Sequence, residues 1–399
     1  MKRIICALLL VAFICMLPLY AFAFDTGIAN GIYNNQPVDN ASYKSYAVVN
    51  CREKRILEHK NGDEKQPVGS LVKIMLLYLT YEALENKSIE LTTEVKVPEA
   101  AMGIPGNTVF LDYYRGEVAT VEKLLNAVCI NSAQDAAYCL ANCIASSEKE
   151  CVDKMNKKAQ EMGLKNTLFS DCTGTDKENQ YSTANDMAFL TYELLTKYPQ
   201  VTELTSQKFA WFAHSTGKED TMVSTNNSFL RYYGKSTGLV ATESEATGYC
   251  LAATSNVNEN LVICIVLGAL DDNNGLALAK NVTEKSLTDY KFTQLDVAGT
   301  YVRRIAVEDG EELSVKAETS ESFAVFVRTD QVDKVEKKVV PKENLEAPLE
   351  KGAVVGYVVY SVDGSELGRS DIVAAEAVEE AGFFTKIIRW FLSLFGIEY

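Results

Sequence analysis

The chain has 399 residues, 47% apolar and 23% charged, enough for two domains with separate cores. A net charge of −15 argues against nucleic acid as a partner, because neutralising phosphates takes a basic surface. Only two histidines are present, His59 and His214, so a Ser-His-Asp triad and a His-rich metal site are both poorly supplied.

Lys2 and Arg3 precede an apolar run from Ile4 to Leu19, followed by Ala21-Phe22-Ala23. This is a basic n-region, an h-region and a small-x-small cleavage site, so a signal peptide over residues 1–23 and an exported protein are expected; the alternative is an N-terminal membrane anchor, for which the apolar run is short. Eight cysteines lie beyond it and none forms a C-x-x-C pair. Several sit in strongly apolar runs, where cysteine behaves as a small hydrophobe, and mostly free thiols are expected.

Ala47–Asn50 and Ile56–His59 read as a hairpin that delivers the chain to Pro67-Val68-Gly69-Ser70-Leu71-Val72-Lys73. An apolar helix follows, to about Asn86. Residues i and i+3 share a helix face, so Ser70 and Lys73 can point at one spot, near the positive end of the helix dipole. A lysine in an apolar pocket loses its charge readily and can then take a serine proton. The competing reading is a capping serine with a surface lysine one turn on.

Thr120 reads as the cap of a buried helix ending near Asn131-Ser132-Ala133-Gln134, and Asp135–Ala145 as a second apolar helix. Ser132 then sits in a turn between two buried helices, either as a fixed polar group or as a cap of the second. Helices follow at Cys151–Met162 and from Tyr181-Ser182-Thr183 to Tyr198, with the polar turn Ser170–Gly174 between them. Short strands occupy Gln207–Thr254, including Ser236-Thr237-Gly238-Leu239. Thr247–Thr254 and Leu261–Leu267 form adjacent strands, and Leu276–Tyr290 a closing helix. The order is mixed α/β, with a sheet built from both ends of the domain. Beyond Gln294 come strand-like runs with Asp-Gly and Lys-Gly turns, the pattern of a small antiparallel β domain to Val378. Residues 379–399 carry Lys386, Arg389 and Ser393 as one polar stripe among aromatics and aliphatics. Such a helix suits a membrane interface and is too short and charged to span one; the alternative is docking on its own domain.

In this order the features resemble the low-molecular-weight penicillin-binding proteins, the serine-type D-alanyl-D-alanine carboxypeptidases. Met155-Asn156-Lys157-Lys158-Ala159, Ser182-Thr183-Ala184-Asn185-Asp186 and Gly248-Tyr249-Cys250-Leu251 also look like family text. The resemblance implies a penicillin-binding/β-lactamase-like domain over 24–294, the β domain over 295–378 and the amphipathic helix. It implies hydrolysis of D-Ala-D-Ala through an acyl-enzyme, with Ser70 as nucleophile, Lys73 as base and Ser132 relaying a proton to the leaving D-alanine. The oxyanion hole would be the backbone N–H groups of Ser70 and Leu239. No metal or organic cofactor is needed. The implied partners are peptidoglycan stem peptide, β-lactams as inhibitors and a membrane surface, with the protein on the outer face of the cytoplasmic membrane.

Two motifs depart from the family. Its S-x-N reads Ser132-Ala133-Gln134, where the longer amide displaces its donor by about an ångström. Its K-T-G is matched here to Ser236-Thr237-Gly238, with a serine where a lysine would hold the substrate carboxylate. Lys235 replaces it only if a bulge turns it inward. Losing a charge-assisted hydrogen bond costs about 1.5–3 kcal/mol. A binder without turnover and a β-lactamase remain alternatives. Glu122–Asn126 matches the E-x-x-L-N of the latter, but precedes the serine turn.

Overall fold

The computed structural model describes residues 39, 41–52, 55–175, 178–257 and 260–393; the expected leader lies outside them. The chain divides into two compact units between Leu287 and Thr288.

The first unit begins with β1 (Ser45–Asn50) and β2 (Arg55–Lys60). A single 3-10 turn, Gly69–Val72, leads into α1 (Lys73–Glu85). The ribbon β3 (Glu94–Lys96) and β4 (Val118–Thr120) precedes α2 (Val121–Asn131), α3 (Gln134–Ile144) and α4 (Glu148–Glu161). Next come α5 (Ala184–Lys197), α6 (Val201–Thr205) and the hairpin β5 (Phe209–Phe212) and β6 (Thr221–Ser224). The unit closes with α7 (Ser228–Tyr232), β7 (Ser236–Ser244), β8 (Gly248–Val257), β9 (Asn260–Ala269) and α8 (Asp272–Thr288).

Local chemistry sets the helix starts. Thr120, Ser147 and Thr183 each accept the backbone N–H three residues on, satisfying a donor the helix leaves free. The sheet runs β2-β1-β9-β8-β7, with antiparallel pairs throughout, so strands from both ends of the unit lie side by side as expected. Side chains alternate between two cores. Ala47, Val49, Ile263 and Ile265 join the helical core, whereas Val48, Val262, Cys264 and Val266 face α8. Buried on both faces, β9 reads as a continuous apolar run. Helix α1 is apolar around its circumference and is packed by α3, α4 and α5, which makes it the buried centre of the helical layer. Among the described residues none of the eight cysteines is in a disulfide, and six of them are buried.

The second unit is a sheet in the order β11 (Tyr301–Ala306), β12 (Ser314–Thr319), β16 (Ser365–Ala374), β15 (Val354–Val362) and β14 (Glu336–Pro341). A ribbon of β10 (Tyr290–Asp296) and β13 (Phe323–Arg328) completes it over a core that includes Val315, Val355, Tyr360 and Ile372. Two of these strands are additions to the sequence reading. The closing helix expected to run to Tyr290 ends at Thr288; Tyr290 begins a strand and pairs with Arg328, and the division between the units falls seven residues before the expected 294. β16 escapes detection because Gly368 and a buried Ser370 interrupt its apolar alternation.

Helix α9 (Phe383–Ser393) is amphipathic as expected, yet its stripe points differently from a free interfacial helix. Lys386 pairs with Glu380 (2.7 Å) and Asp309 (3.4 Å), and Arg389 donates to the carbonyls of Gly310 (2.6 Å) and Glu311 (2.9 Å). The cations thus hold the helix on its own domain, while Phe383, Phe384, Ile388, Trp390 and Phe391 are more than half exposed. Among the described residues, no helix is long and apolar enough to cross a membrane.

Candidate active site

Ser70 sits in the 3-10 turn, 6% exposed, and accepts a hydrogen bond from Lys73 Nζ at 3.0 Å. Lys73 is fully buried, and desolvation lowers its pKa to about 7 against the pull of Asp171, Cys172 and Asp135. A surface lysine beside a capping serine is excluded: Lys73 is the largest buried cation of the core, and no side chain caps the turn.

Ser132 closes α2 in the left-handed conformation (φ 56°), so it ends the first helix; Ala133, not Ser132, stands at the N-cap of α3. Its hydroxyl is buried and has no partner among the described residues. Gln134 reaches the nucleophile, its Nε2 lying 3.5 Å from Ser70 Oγ, while its buried Oε1 has no partner among the described residues. The extra methylene is accommodated by Gly106 (φ 110°), where an added Cβ would stand 3.0 Å from Gln134 Nε2. Asp135 anchors the same segment, accepting the N–H groups of Val109 and Leu111 at 3.0–3.2 Å.

The sequence reading assigned no role to the turn after α4. Asp171 is buried and accepts from Gly174 N (2.9 Å), Thr175 N (2.9 Å) and Gln180 Nε2 (3.0 Å). This clamp presses Gly174 (φ 82°) against the nucleophile: a Cβ there would lie 2.4 Å from Ser70 Cα. The signal was a polar turn ending in glycine, which is common in loops and carries no site information by itself.

The cleft around Ser70, about 320 Å³, is lined by Pro105, Gly106, Asn107, Ser132, Gln134, Gly174, Thr175, Asn226 and the strand segment Ala241-Thr242-Glu243-Ser244. This corrects the placement of the third motif. Ser236, Thr237, Gly238 and Leu239 do not line it. Thr237 Oγ1 bonds Thr254 (2.8 Å), its carbonyl accepts from Thr205 (2.8 Å), Ser236 Oγ accepts from Gly238 N (3.1 Å) and Leu239 is buried in the helical core. Six residues of extended strand, roughly 20 Å, separate Ser236 from Thr242. It is Thr242 that faces the nucleophile's turn, its Cγ2 2.9 Å from where a Cβ on Gly69 would be. The Leu239 N–H is likewise displaced as an oxyanion donor. Lys235 does not substitute for the missing lysine, because it is paired with Glu284 at 3.0 and 3.1 Å. The literal T-G dipeptide misdirected the match; the strand continues past it to the site.

His214 is buried between Glu117 (2.5 Å) and Thr221 (2.8 Å), and His59 is exposed on β2, so neither lines the Ser70 cleft. A larger cleft, about 940 Å³, lies elsewhere in the first unit; Glu122, Leu125 and Asn126 line it, which separates the E-x-x-L-N-like string from Ser70.

A buried serine bonded to a lysine of lowered pKa, in a cleft walled by an edge strand, is the arrangement of a serine peptidase that works without histidine. Residues 32–271 match the family model of D-alanyl-D-alanine carboxypeptidase, and residues 290–380 the C-terminal domain of penicillin-binding protein 5. The chain is 32% identical over 352 residues to D-alanyl-D-alanine carboxypeptidase DacF of Bacillus subtilis, covering 87% of this chain and 88% of the relative. It is 29% identical over 357 residues to DacC of Escherichia coli, covering 86% of each. The structure of penicillin-binding protein 5 from Haemophilus influenzae aligns with a TM-score of 0.70 at 27% identity, covering 85% of this chain and 98% of that one. The chain belongs to the serine-type D-alanyl-D-alanine carboxypeptidase family of low-molecular-weight penicillin-binding proteins, a family of peptidases.

Proposed function

We propose that this chain cleaves D-Ala-D-Ala peptide bonds of peptidoglycan stem peptides through an acyl-enzyme on Ser70. The observation that carries the proposal is the 3.0 Å Lys73–Ser70 hydrogen bond, made by a lysine that burial brings to a pKa of about 7. Neutral Lys73 takes the Ser70 proton as Oγ attacks the carbonyl carbon. The N–H of Ser70, and an outward-facing N–H from Thr242–Ser244, bind the developing oxyanion; β7 is the edge strand of the sheet, so alternate N–H groups point out of it. Ser132, with its hydroxyl unpartnered beside the site, passes the proton to the leaving amine. Water then hydrolyses the ester. The same serine is the target of β-lactams. The test is release of the terminal D-alanine, or its derivative, from synthetic stem peptides. Wild type is expected to release it, and Ser70→Ala to lose at least a thousandfold in rate. Equal rates for the two proteins would remove Ser70 from the mechanism.

We further propose that the protein is exported and rests on the outer face of the cytoplasmic membrane through α9. The cations of α9 are engaged by its own domain and its aromatic face is exposed, so binding rests on apolar burial. Co-sedimentation with phospholipid vesicles that survives high salt supports this reading; binding that vanishes with salt would indicate charge attraction instead.

A further inference from the structure

The strand wall of the cleft differs in charge from what a free terminal carboxylate needs. No lysine or arginine occurs among the described residues lining it, and the one ionised side chain on the β7 segment is Glu243, exposed at its rim. Lys235, one residue before β7, lies roughly 20 Å along the strand from Thr242 and is paired with Glu284 at 3.0 Å. A carboxylate entering here exchanges its hydration for hydroxyls, amides and a like charge, which costs free energy unless a positive group compensates.

The opposite wall carries no cation either: Gln134, only 5% exposed beside Ser70, offers a neutral amide there, its buried Oε1 without a hydrogen-bond partner among the described residues.

We propose that the Ser70 cleft takes acyl donors that are neutral beyond the scissile bond, a C-terminal amide or a chain that continues, in preference to donors ending in a free carboxylate. This rests on the reading of Ser70 as nucleophile. The chemistry balances as before: the Ser70 oxygen bonds the carbonyl carbon, the C–N bond breaks, the neutral amine leaves with the proton, and water hydrolyses the ester to return the Ser70 hydroxyl.

The test uses the full protein and two matched pairs: benzylpenicillin against its methyl ester, followed by intact-mass spectrometry of the adduct, and a peptide ending in D-Ala-D-Ala against its C-terminal amide, followed by kcat/KM. The neutral member of each pair is expected to react at least tenfold faster. Equal rates, or faster reaction of the acids, would overturn the preference while leaving Ser70 acylation intact. Absence of any adduct and any turnover would remove the acyl-enzyme itself, and the inference with it. Ser244→Lys, which puts a cation on this wall, is expected to shift both ratios at least tenfold towards the acid; ratios that stay put in a folded variant contradict the electrostatic argument.

Discussion

Replacing Lys73 by methionine tests the buried base without any substrate. The side chains are of similar length, so Met fills the buried space without a charge, at the loss of the 3.0 Å bond to Ser70 and of the cation facing Asp171 and Asp135. In the unfolded chain lysine titrates at its ordinary 10.5; in the folded chain burial brings it to about 7. Between these values the unfolded state holds a proton that the native state has released, so wild-type stability rises with pH across that window. At about 1.4 kcal/mol per pH unit, the full drop corresponds to about 5 kcal/mol of stability withheld below pH 7. By pH 9 only about 2 kcal/mol of it remains. Lys73→Met is therefore expected to be more stable than wild type, by an amount that shrinks by about 2–3 kcal/mol between pH 6.5 and pH 9. Urea unfolding of both proteins at several pH values measures this directly. A difference that does not change with pH would mean that Lys73 keeps its proton in the fold, and the proposed base would have no neutral form to act with. Acylation should vanish in the same variant.

The other predictions probe the walls of the site. Gly174→Ala forces a Cβ to within 2.4 Å of Ser70 Cα at a positive φ; a cost of about 1–3 kcal/mol in thermal unfolding and a loss of Ser70 acylation well beyond tenfold are expected. Lys235→Ala removes a half-exposed pair with Glu284 and is expected to change stability by no more than about 1 kcal/mol and acylation hardly at all; a collapse in rate would return Lys235 to the substrate site. Phe384→Ser with Trp390→Ser removes two exposed aromatics from α9, each able to contribute about 1.5–3 kcal/mol on burial, so vesicle partitioning should fall at least a hundredfold while solution acylation is unchanged.

The sequence made α1, the two-ended sheet and the Ser70–Lys73 pair legible because each depends on local spacing: helical i, i+3 geometry, apolar runs and turn residues. The third wall was not legible in the same way. Ser236-Thr237-Gly238 looked like the expected triplet, but which stretch of β7 faces Ser70 is decided by its pairing with β8 and by the contact between Thr242 and Gly69, both non-local. The Asp171–Gly174 clamp was hidden for a similar reason: its turn residues are ordinary, and only the fold brings Gly174 onto Ser70. β16 shows a third cause, a buried serine inside a strand whose apolar period it breaks.

The most direct measurement is the pH dependence of Ser70 acylation, followed by peptide-mapped mass spectrometry with the methyl ester of benzylpenicillin. A base that must be neutral, with a pKa of about 7, predicts an adduct confined to Ser70 whose rate of formation rises about tenfold per pH unit below 7 and levels off above it. An adduct elsewhere, or a rate on Ser70 that is flat across this range, would contradict the account.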